Sequence, residues 1–318
     1  MPHVLIAGRI HDAGLDVLRS APDLTFEMVD EVSTESFAPL IPRADALLIR
    51  SQPLPAAVVA QAPKLRIVSR HGVGYDAVDV PSLEARGIPL TIVGDVNSRP
   101  VAEHTLALML GLAKRITLHD RATRNAGWNL RNDFGAAELW GKTLLVVGFG
   151  RIGRLVKDLA AAFGMTVLAY DPFQPPEAIR AAGAAPVADL AEGLSRADWV
   201  SLHLPKTGSK PLIGAAELAE MKPGAFLINT ARGGLVDEEA AADALAAGRL
   251  AGFGTDVFAS EPPLQNRLFA SERTLVSPHS ASLTAECAVR MSRAAAENIV
   301  NFFAGRLDPA LVVNRPGG

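Results

Sequence analysis

Three side chains able to hold a carboxylate and move a proton stand just past apolar runs in the second half of the chain. Arg232 follows Leu227-Ile228-Asn229-Thr230-Ala231 and precedes Gly233-Gly234. A planar guanidinium grips a carboxylate through two parallel hydrogen bonds, which lysine cannot do. Glu261 ends the run Asp256-Val257-Phe258-Ala259-Ser260, ahead of Pro262-Pro263. The proline pair stiffens that loop and biases it to extended geometry. His279 directly follows Thr274-Leu275-Val276-Ser277-Pro278. Imidazole is the side chain best suited to give and take a proton near neutral pH. Each has a plainer alternative when taken singly: a turn arginine in solvent, a solvated loop acid, a hydrogen-bonded structural histidine. All three fall at or just after predicted strand ends, where open α/β sheets place ligands.

The elements that must position them begin at Leu144-Leu145-Val146-Val147, which meets Gly148-Phe149-Gly150-Arg151-Ile152-Gly153. Gly148 permits a tight turn, Gly150 lets backbone N–H groups approach a pyrophosphate, and Gly153 lets the next helix pack close to the strand. That helix carries Leu155, Val156, Leu159 and Phe163 on one face. Its N-terminus, at Arg151 and Ile152, offers unpaired N–H groups and a partial positive charge. A second apolar run, Thr166 to Tyr170, ends at Asp171, 18 residues past Gly153 (171 − 153). A carboxylate there accepts hydrogen bonds from ribose hydroxyls and repels a 2′-phosphate. The expected cofactor is NAD rather than NADP. Many loops match the glycine spacing alone; strand, turn, helix, strand and acid in that order is the stronger signal. Asp256 could then accept from the nicotinamide amide, and His203, before Leu204-Pro205, is expected on the adenine side.

At 318 residues, about two domains are expected. A 49% hydrophobic, 20% charged composition gives ample core, and a net charge of −3 offers no nucleic-acid or acidic-membrane surface. The single cysteine, Cys287, excludes a disulfide framework and a Cys-rich metal site, so no metal is expected and a reducing, cytoplasmic setting is. The N-terminal apolar run is too short for a signal peptide, and no run of about 18 apolar residues suggests a membrane span.

Short apolar runs alternate with helix-period segments throughout, which predicts parallel sheets with helices on both faces. Strands are expected near 3–8, 24–29, 45–49, 66–69 and 89–93, with helices near 12–19, 33–40, 55–61 and 77–86. A nucleotide domain usually opens with its glycine turn, so the first hundred residues form another domain. A long helix is expected from Pro100 to Leu118, and another from Thr284 to Phe303. The expected boundaries are 1–99 with 286–318 for one domain and 100–285 for the inserted nucleotide domain. Ala181 to Ala191 and Ala240 to Gly248 suggest closely packed helices.

Across nearly its whole length the chain resembles the D-isomer-specific 2-hydroxyacid dehydrogenases. The resemblance rests on Ser69-Arg70-His71-Gly72-Val73-Gly74-Tyr75-Asp76, Val101-Ala102-Glu103, the glycine turn, Thr230-Ala231-Arg232-Gly233-Gly234, Asp256-Val257-Phe258 with Glu261-Pro262, and Pro278-His279. It implies a Rossmann NAD-binding domain inserted into a flavodoxin-like substrate-binding domain, both doubly wound parallel sheets. It implies that His279 exchanges a proton with the substrate oxygen, that Glu261 pairs with the imidazole, and that Arg232 holds the substrate carboxylate. Gly72, Val73 and Gly74 would receive that carboxylate through backbone N–H groups. Gly148, Gly150, Arg151, Ile152, Gly153, Asp171, His203, Pro205, Thr230, Ala231, Asp256 and Ala281 would hold NAD. His71 and His104 are weaker candidates.

The D-3-phosphoglycerate dehydrogenase branch is the most similar, which makes 3-phosphoglycerate the first substrate expectation. Arg50-Ser51 and Arg70 look like segments that place arginines near a substrate phosphate; equally, both arginines suit a strand-end surface. Hydroxypyruvate, glyoxylate and other anionic 2-hydroxy acids stay open. The chain ends at Gly318, so the regulatory domains of the longer enzymes, and serine feedback through them, are not expected. Formate dehydrogenases pair their histidine with glutamine, which Glu261 argues against. Corepressors related to the family would make the chain an NAD-sensing binding protein instead. The family usually forms homodimers through its nucleotide domains. Trp128 and Trp140 could carry such a contact, or simply pack in the core.

Overall fold

The computed structural model describes residues 1–206 and 208–314. Packing divides the chain into one unit of Met1–Asn97 with Leu283–Gly318 and a second of Ser98–Ser282. Residues 315–318 of the expected first domain lie outside the described residues.

The first unit is a five-stranded parallel sheet built from β1 (His3–Ala7), β2 (Thr25–Val29), β3 (Ala46–Ile49), β4 (Ile67–Arg70) and β5 (Leu90–Thr91). Their spatial order is β2-β1-β3-β4-β5, the flavodoxin-like winding. Every residue of β3 is buried, and so are Val4 to Ala7 of β1. A strand covered on both faces needs an unbroken apolar run, which is why these segments do not alternate. Leu5, Leu47, Ile49 and Val68 pack on one face with Phe37, Ile41 and Leu54. Val4, Ile6, Leu48 and Ile67 pack on the other with Leu15, Leu18 and with Met291, Ala295 and Ile299 of the Ala285–Phe303 helix.

The second unit holds seven parallel strands: β6 (Thr143–Val147), β7 (Thr166–Tyr170), β8 (Ala185–Pro186), β9 (Trp199–Leu202), β10 (Ala225–Asn229), β11 (Leu250–Thr255) and β12 (Thr274–Val276). The order β12-β11-β10-β9-β6-β7-β8 reverses direction between β6 and β9, as in a Rossmann sheet. On one face Leu144, Val146, Trp199 and Ile228 pack with Leu106 and Met109 of the Ser98–Ala113 helix. Leu145, Val147, Val200 and Leu227 form the opposite core with Leu194, Leu218 and Leu245. Both sheets agree with the expected fold class.

The helix expected from Pro100 to Leu118 is two, Ser98–Ala113 and Ile116–Arg124, broken at Arg115 with φ 51°. The buried stripe ends there: Ile116 is 56% exposed, and the Ala113 carbonyl accepts from Ala137 N–H at 2.7 Å as the chain folds back. Ala181 to Ala191 is not one helix. Gly183, at φ 83°, stops the Pro176–Ala181 helix, β8 follows, and Asp189 caps the next helix by accepting from Glu192 N–H. Over 33–40 the helix is α only at Thr34–Phe37; Pro39 and Pro42 accompany a 3₁₀ stretch at Ala38–Arg43. The strand near 89–93 shortens to Leu90–Thr91 because Ile92 and Leu90 turn their backbone bonds to Leu311 and Val313.

Candidate active site

His279 lies just past β12 with φ 50°, a conformation that costs a non-glycine residue about 1–2 kcal/mol. Its surroundings hold it there. His279 N–H donates to the Asp256 carbonyl at 2.8 Å. The Asp256 carboxylate, 1% exposed, accepts from Ser277 Oγ (2.6 Å), Ser280 N–H (2.9 Å) and Ala281 N–H (2.9 Å). Strain maintained in this way is a mark of functional sites.

The imidazole Nδ1 lies 2.8 Å from Glu261 Oε2, and Glu261 Oε1 accepts from Phe258 N–H at 3.0 Å. Burial opposes ionisation of Glu261. The hydrogen bonds from His279 and Phe258 and the charges of His279 and Arg232 outweigh it and hold the carboxyl below its usual range. An ionised Glu261 makes Nδ1 the proton-bearing nitrogen, so Nε2 is the one left for a reacting group. The imidazole is half exposed, open to a small molecule.

Arg232 sits on the turn after β10. Its Nη1 donates to the Ala231 carbonyl at 2.7 Å, and Asn229 Nδ2 donates to the Arg232 carbonyl at 2.9 Å. Gly233 explains why this turn lies against the Glu261 loop: a Cβ there would stand 1.7 Å from the Phe258 carbonyl oxygen. The second unit thus brings a guanidinium, a carboxylate and an imidazole to one end of β10, β11 and β12.

The glycine turn fits a dinucleotide on steric grounds. Gly148 has φ 89°, and a Cβ would sit 2.5 Å from the His203 carbonyl oxygen. A Cβ on Gly153 would sit 2.2 Å from the Gly148 carbonyl oxygen, so helix and turn touch backbone to backbone. A Cβ on Gly150 would meet nothing within 4 Å. That open space adjoins the N-terminus of the Arg151–Ala162 helix, where Gly150 provides no side-chain cap. Open space beside bare N–H groups suits phosphate oxygens. Asp171 ends the β7 run and leans over the turn: Oδ2 accepts from Phe149 N–H at 2.8 Å and Oδ1 from Phe173 N–H at 2.9 Å.

The other expected cofactor residues differ in exposure. Arg151 and Pro205 are exposed and Ile152 is half-buried. Thr230, Ala231 and Ala281 are buried, and Thr230 Oγ1 already lies 2.9 Å from Thr105 Oγ1. His203 bonds Ser201 Oγ through Nε2 at 2.8 Å, while its buried Nδ1 has no partner. Burial pushes the His203 imidazole down to about 3, so it is neutral.

In the first unit, Arg50 and Ser51 follow β3, next to the point where the sheet order reverses. Arg50 Nη1 donates to the Arg9 carbonyl at 2.9 Å. Arg70 Nε donates to the Gly74 carbonyl and Nη1 to the His71 carbonyl, both at 2.8 Å, so this guanidinium shapes the turn from 71 to 74. Gly72 N–H donates to the Arg70 carbonyl at 2.9 Å. His71, a weaker candidate on sequence grounds, is 7% exposed, with Nε2 2.9 Å from Ser292 Oγ. Burial, then the Arg50 and Arg70 charges, push it down to about 3. Sequence reasoning also passed over Ser277; no spacing marks a hydroxyl whose partner is buried. Among the described residues no group of three or more His, Cys, Asp or Glu could hold a metal ion.

The sequence model of the D-isomer specific 2-hydroxyacid dehydrogenase NAD binding domain matches residues 106–281. D-3-phosphoglycerate dehydrogenase of Mycobacterium tuberculosis is 41% identical over 320 residues, which is 100% of this chain and 60% of that protein. The structure of TT0316 protein from Thermus thermophilus superposes with a TM-score of 0.89 at 33% identity, over 96% of this chain and 98% of that one. D-lactate dehydrogenase from Aquifex aeolicus, solved with NAD and lactic acid, gives a TM-score of 0.88 at 26% identity, over 99% and 100% of the two chains. The chain belongs to the D-isomer specific 2-hydroxyacid dehydrogenase family, and NAD is its cofactor. It spans about 60% of the length of the curated relatives it matches.

Proposed function

We propose that the chain is an NAD-dependent dehydrogenase that interconverts an anionic 2-hydroxy acid and its 2-keto acid, with 3-phosphoglycerate as the preferred substrate. The observation that carries this reading is the His279–Glu261 pair, at 2.8 Å, on the loops after β12 and β11, with the Arg232 turn packed against the Glu261 loop in the same unit. NAD held by the second unit would supply the hydride acceptor for the hydroxy acid, and NADH the hydride donor for the keto acid. In reduction His279 gives the Nε2 proton to the carbonyl oxygen, and in oxidation it takes the hydroxyl proton back. Glu261 fixes the imidazole with Nδ1–H toward itself and balances the imidazolium charge. Arg232 grips the carboxylate and polarises the neighbouring carbonyl. Asp171 favours NAD over NADP by repelling a 2′-phosphate.

The first unit, with Arg50, Ser51, Arg70 and the 72–74 turn, is proposed to bind substrate. Two guanidinium charges that both act on His71 suit a doubly anionic ligand. The mycobacterial relative's name points the same way. We also propose a homodimer in the cytoplasm. Trp128, Phe134 and Trp140 are 64%, 89% and 75% exposed along one segment of the NAD unit, a surface that favours association over core packing. A lone buried cysteine suits a reducing compartment.

The test is NADH oxidation by purified protein with 3-phosphohydroxypyruvate, hydroxypyruvate, glyoxylate and 2-ketobutyrate. The phosphorylated acid should give the highest kcat/KM. Preference for an uncharged-tail acid would remove the substrate assignment, and negligible turnover of all four would remove the enzyme assignment.

A further inference from the structure

The Ser98–Ala113 helix packs on β10, β11 and β12, the strands that end in the reacting loops. Two consecutive residues on it reach those loops. Thr105 Oγ1 donates to the Val101 carbonyl at 2.9 Å, which uses its one proton. In its 2.9 Å contact with Thr230 Oγ1, therefore, Thr230 is the donor. Both hydroxyls are buried, and Thr230 lies two residues before Arg232. His104 works on the other side. Ser277 Oγ donates to Asp256 Oδ1 at 2.6 Å, so it must accept from His104 Nε2–H at 2.8 Å. The chain of donors runs from His104 through Ser277 to the buried Asp256 carboxylate. That carboxylate in turn fixes the N–H groups of Ser280 and Ala281 on the far side of His279.

We propose that His104 and Thr105 are positioning residues of the reaction, one setting the strained His279 loop and the other the Arg232 turn. This inference rests on the dehydrogenase reading above. His104 bonds the Ser277 hydroxyl, and Thr105 bonds the Val101 carbonyl and the Thr230 hydroxyl, so both reach the site through other residues. The geometry requires help from outside the loop. His279 is held in a left-handed conformation, and the acid that holds it is almost wholly buried, with His104 Nε2 3.8 Å from its Oδ1. Without the imidazole donor, the Ser277 hydroxyl keeps its bond to Asp256 but loses the second contact that fixes its direction.

The experiment compares His104→Leu with His104→Gln, and Thr105→Val with Thr105→Ser, in the full chain. His104→Leu should lower kcat for keto-acid reduction about three- to ten-fold, the worth of one hydrogen bond, with KM little changed. His104→Gln, which keeps a donor, should recover most of it. Thr105→Val should act mainly on KM for the keto acid, through a loosened Arg232, and Thr105→Ser should restore it. A second readout needs no turnover. With ¹³C-labelled histidine, the His279 Cε1 resonance at one fixed pH should move in His104→Leu and return in His104→Gln. If His104→Leu does not fold, Ser277→Ala breaks the same line. Should the wild type reduce no 2-keto acid while that resonance still moves, the reaction assignment falls and the brace stands. Should the wild type be active while kcat and the resonance are unmoved in both His104→Leu and Ser277→Ala, the brace is overturned.

Discussion

Both sheets open on the same turn. β1 and β6 run into glycines with φ 88° and 89°, Gly8 and Gly148. Each glycine N–H donates at 2.8 Å to the last carbonyl of the neighbouring strand, Val29 in one case and Tyr170 in the other. Beyond that point the two units part. In the first, protein closes the following helix: His11 Nδ1 accepts from Ala13 N–H at 3.1 Å, and His11 N–H donates to Ser292 Oγ at 3.0 Å. Gly14 is pressed so close that a Cβ would stand 2.6 Å from the Ser292 carbonyl oxygen. In the second unit the helix begins uncapped beside the open space at Gly150. A tight glycine turn is thus shared scaffolding, and what sets the second unit apart is a helix end left free, where the proposed phosphate site lies.

The largest effect that would sharpen this contrast acts on the chemistry of the unit with the free end. His279→Ala should reduce turnover roughly 10²–10⁴-fold while NADH affinity, proposed to rest on the glycine turn, is retained; unchanged kcat would break the assignment. Next comes acid. One histidine in each unit, His71 and His203, is neutral when folded, pushed from an ordinary 6.5 down to about 3. The unfolded chain therefore binds more protons between those values. The stability from each is full above pH 6.5 and is lost as pH falls toward 3. The loss should be on the order of a few kcal/mol per histidine. Urea midpoints at pH 7.5 and 5 measure it, and His71→Gln should reduce the drop. A midpoint that ignores pH would count against both buried imidazoles.

The two turn glycines should differ in the third test. Gly8→Ala and Gly148→Ala each cost about 1–2 kcal/mol for the left-handed backbone. Only at Gly148 does the new Cβ also meet backbone, at His203; at Gly8 it meets the side chains of Arg50 and Val32. Gly148→Ala should therefore lose more stability and NADH binding as well, and equal losses would erase the distinction. The smallest effects belong to the helix ends. His11→Ala should cost about 1 kcal/mol of stability and leave NADH titrations unchanged. Gly150→Ala, at the N-cap of its helix, should likewise cost about 1 kcal/mol of stability, but it should also weaken NADH, as its Cβ enters the open space.

The alternating apolar runs and the glycine turn were legible because one local demand fixes each residue. Gly153 must be small to touch Gly148, and the strand residues must be apolar to lie between two helix layers. The break at Arg115 was not legible, since it is set by a chain segment returning at Ala137. The Ala181 to Ala191 stretch misled because alanine spacing resembles a helix on both sides of Gly183. In the site, residue types and family likeness directed attention to Arg232, Glu261 and His279. The inward turn of Asp256 and its link through Ser277 to His104 had no sequence signal, because partners 21 and 173 residues apart are chosen by tertiary packing.

The Ala285–Phe303 helix belongs to the first unit but is encoded after the whole of the second. During translation Ile6, Leu48 and Ile67 are made before the second unit, and their cover emerges from the ribosome only after it. The inserted unit is continuous in the chain and is complete before that helix appears. A nascent chain stalled before Ala285 therefore carries a whole NAD-binding unit beside a sheet with one greasy face bare, a form suited to chaperone capture and prone to aggregate.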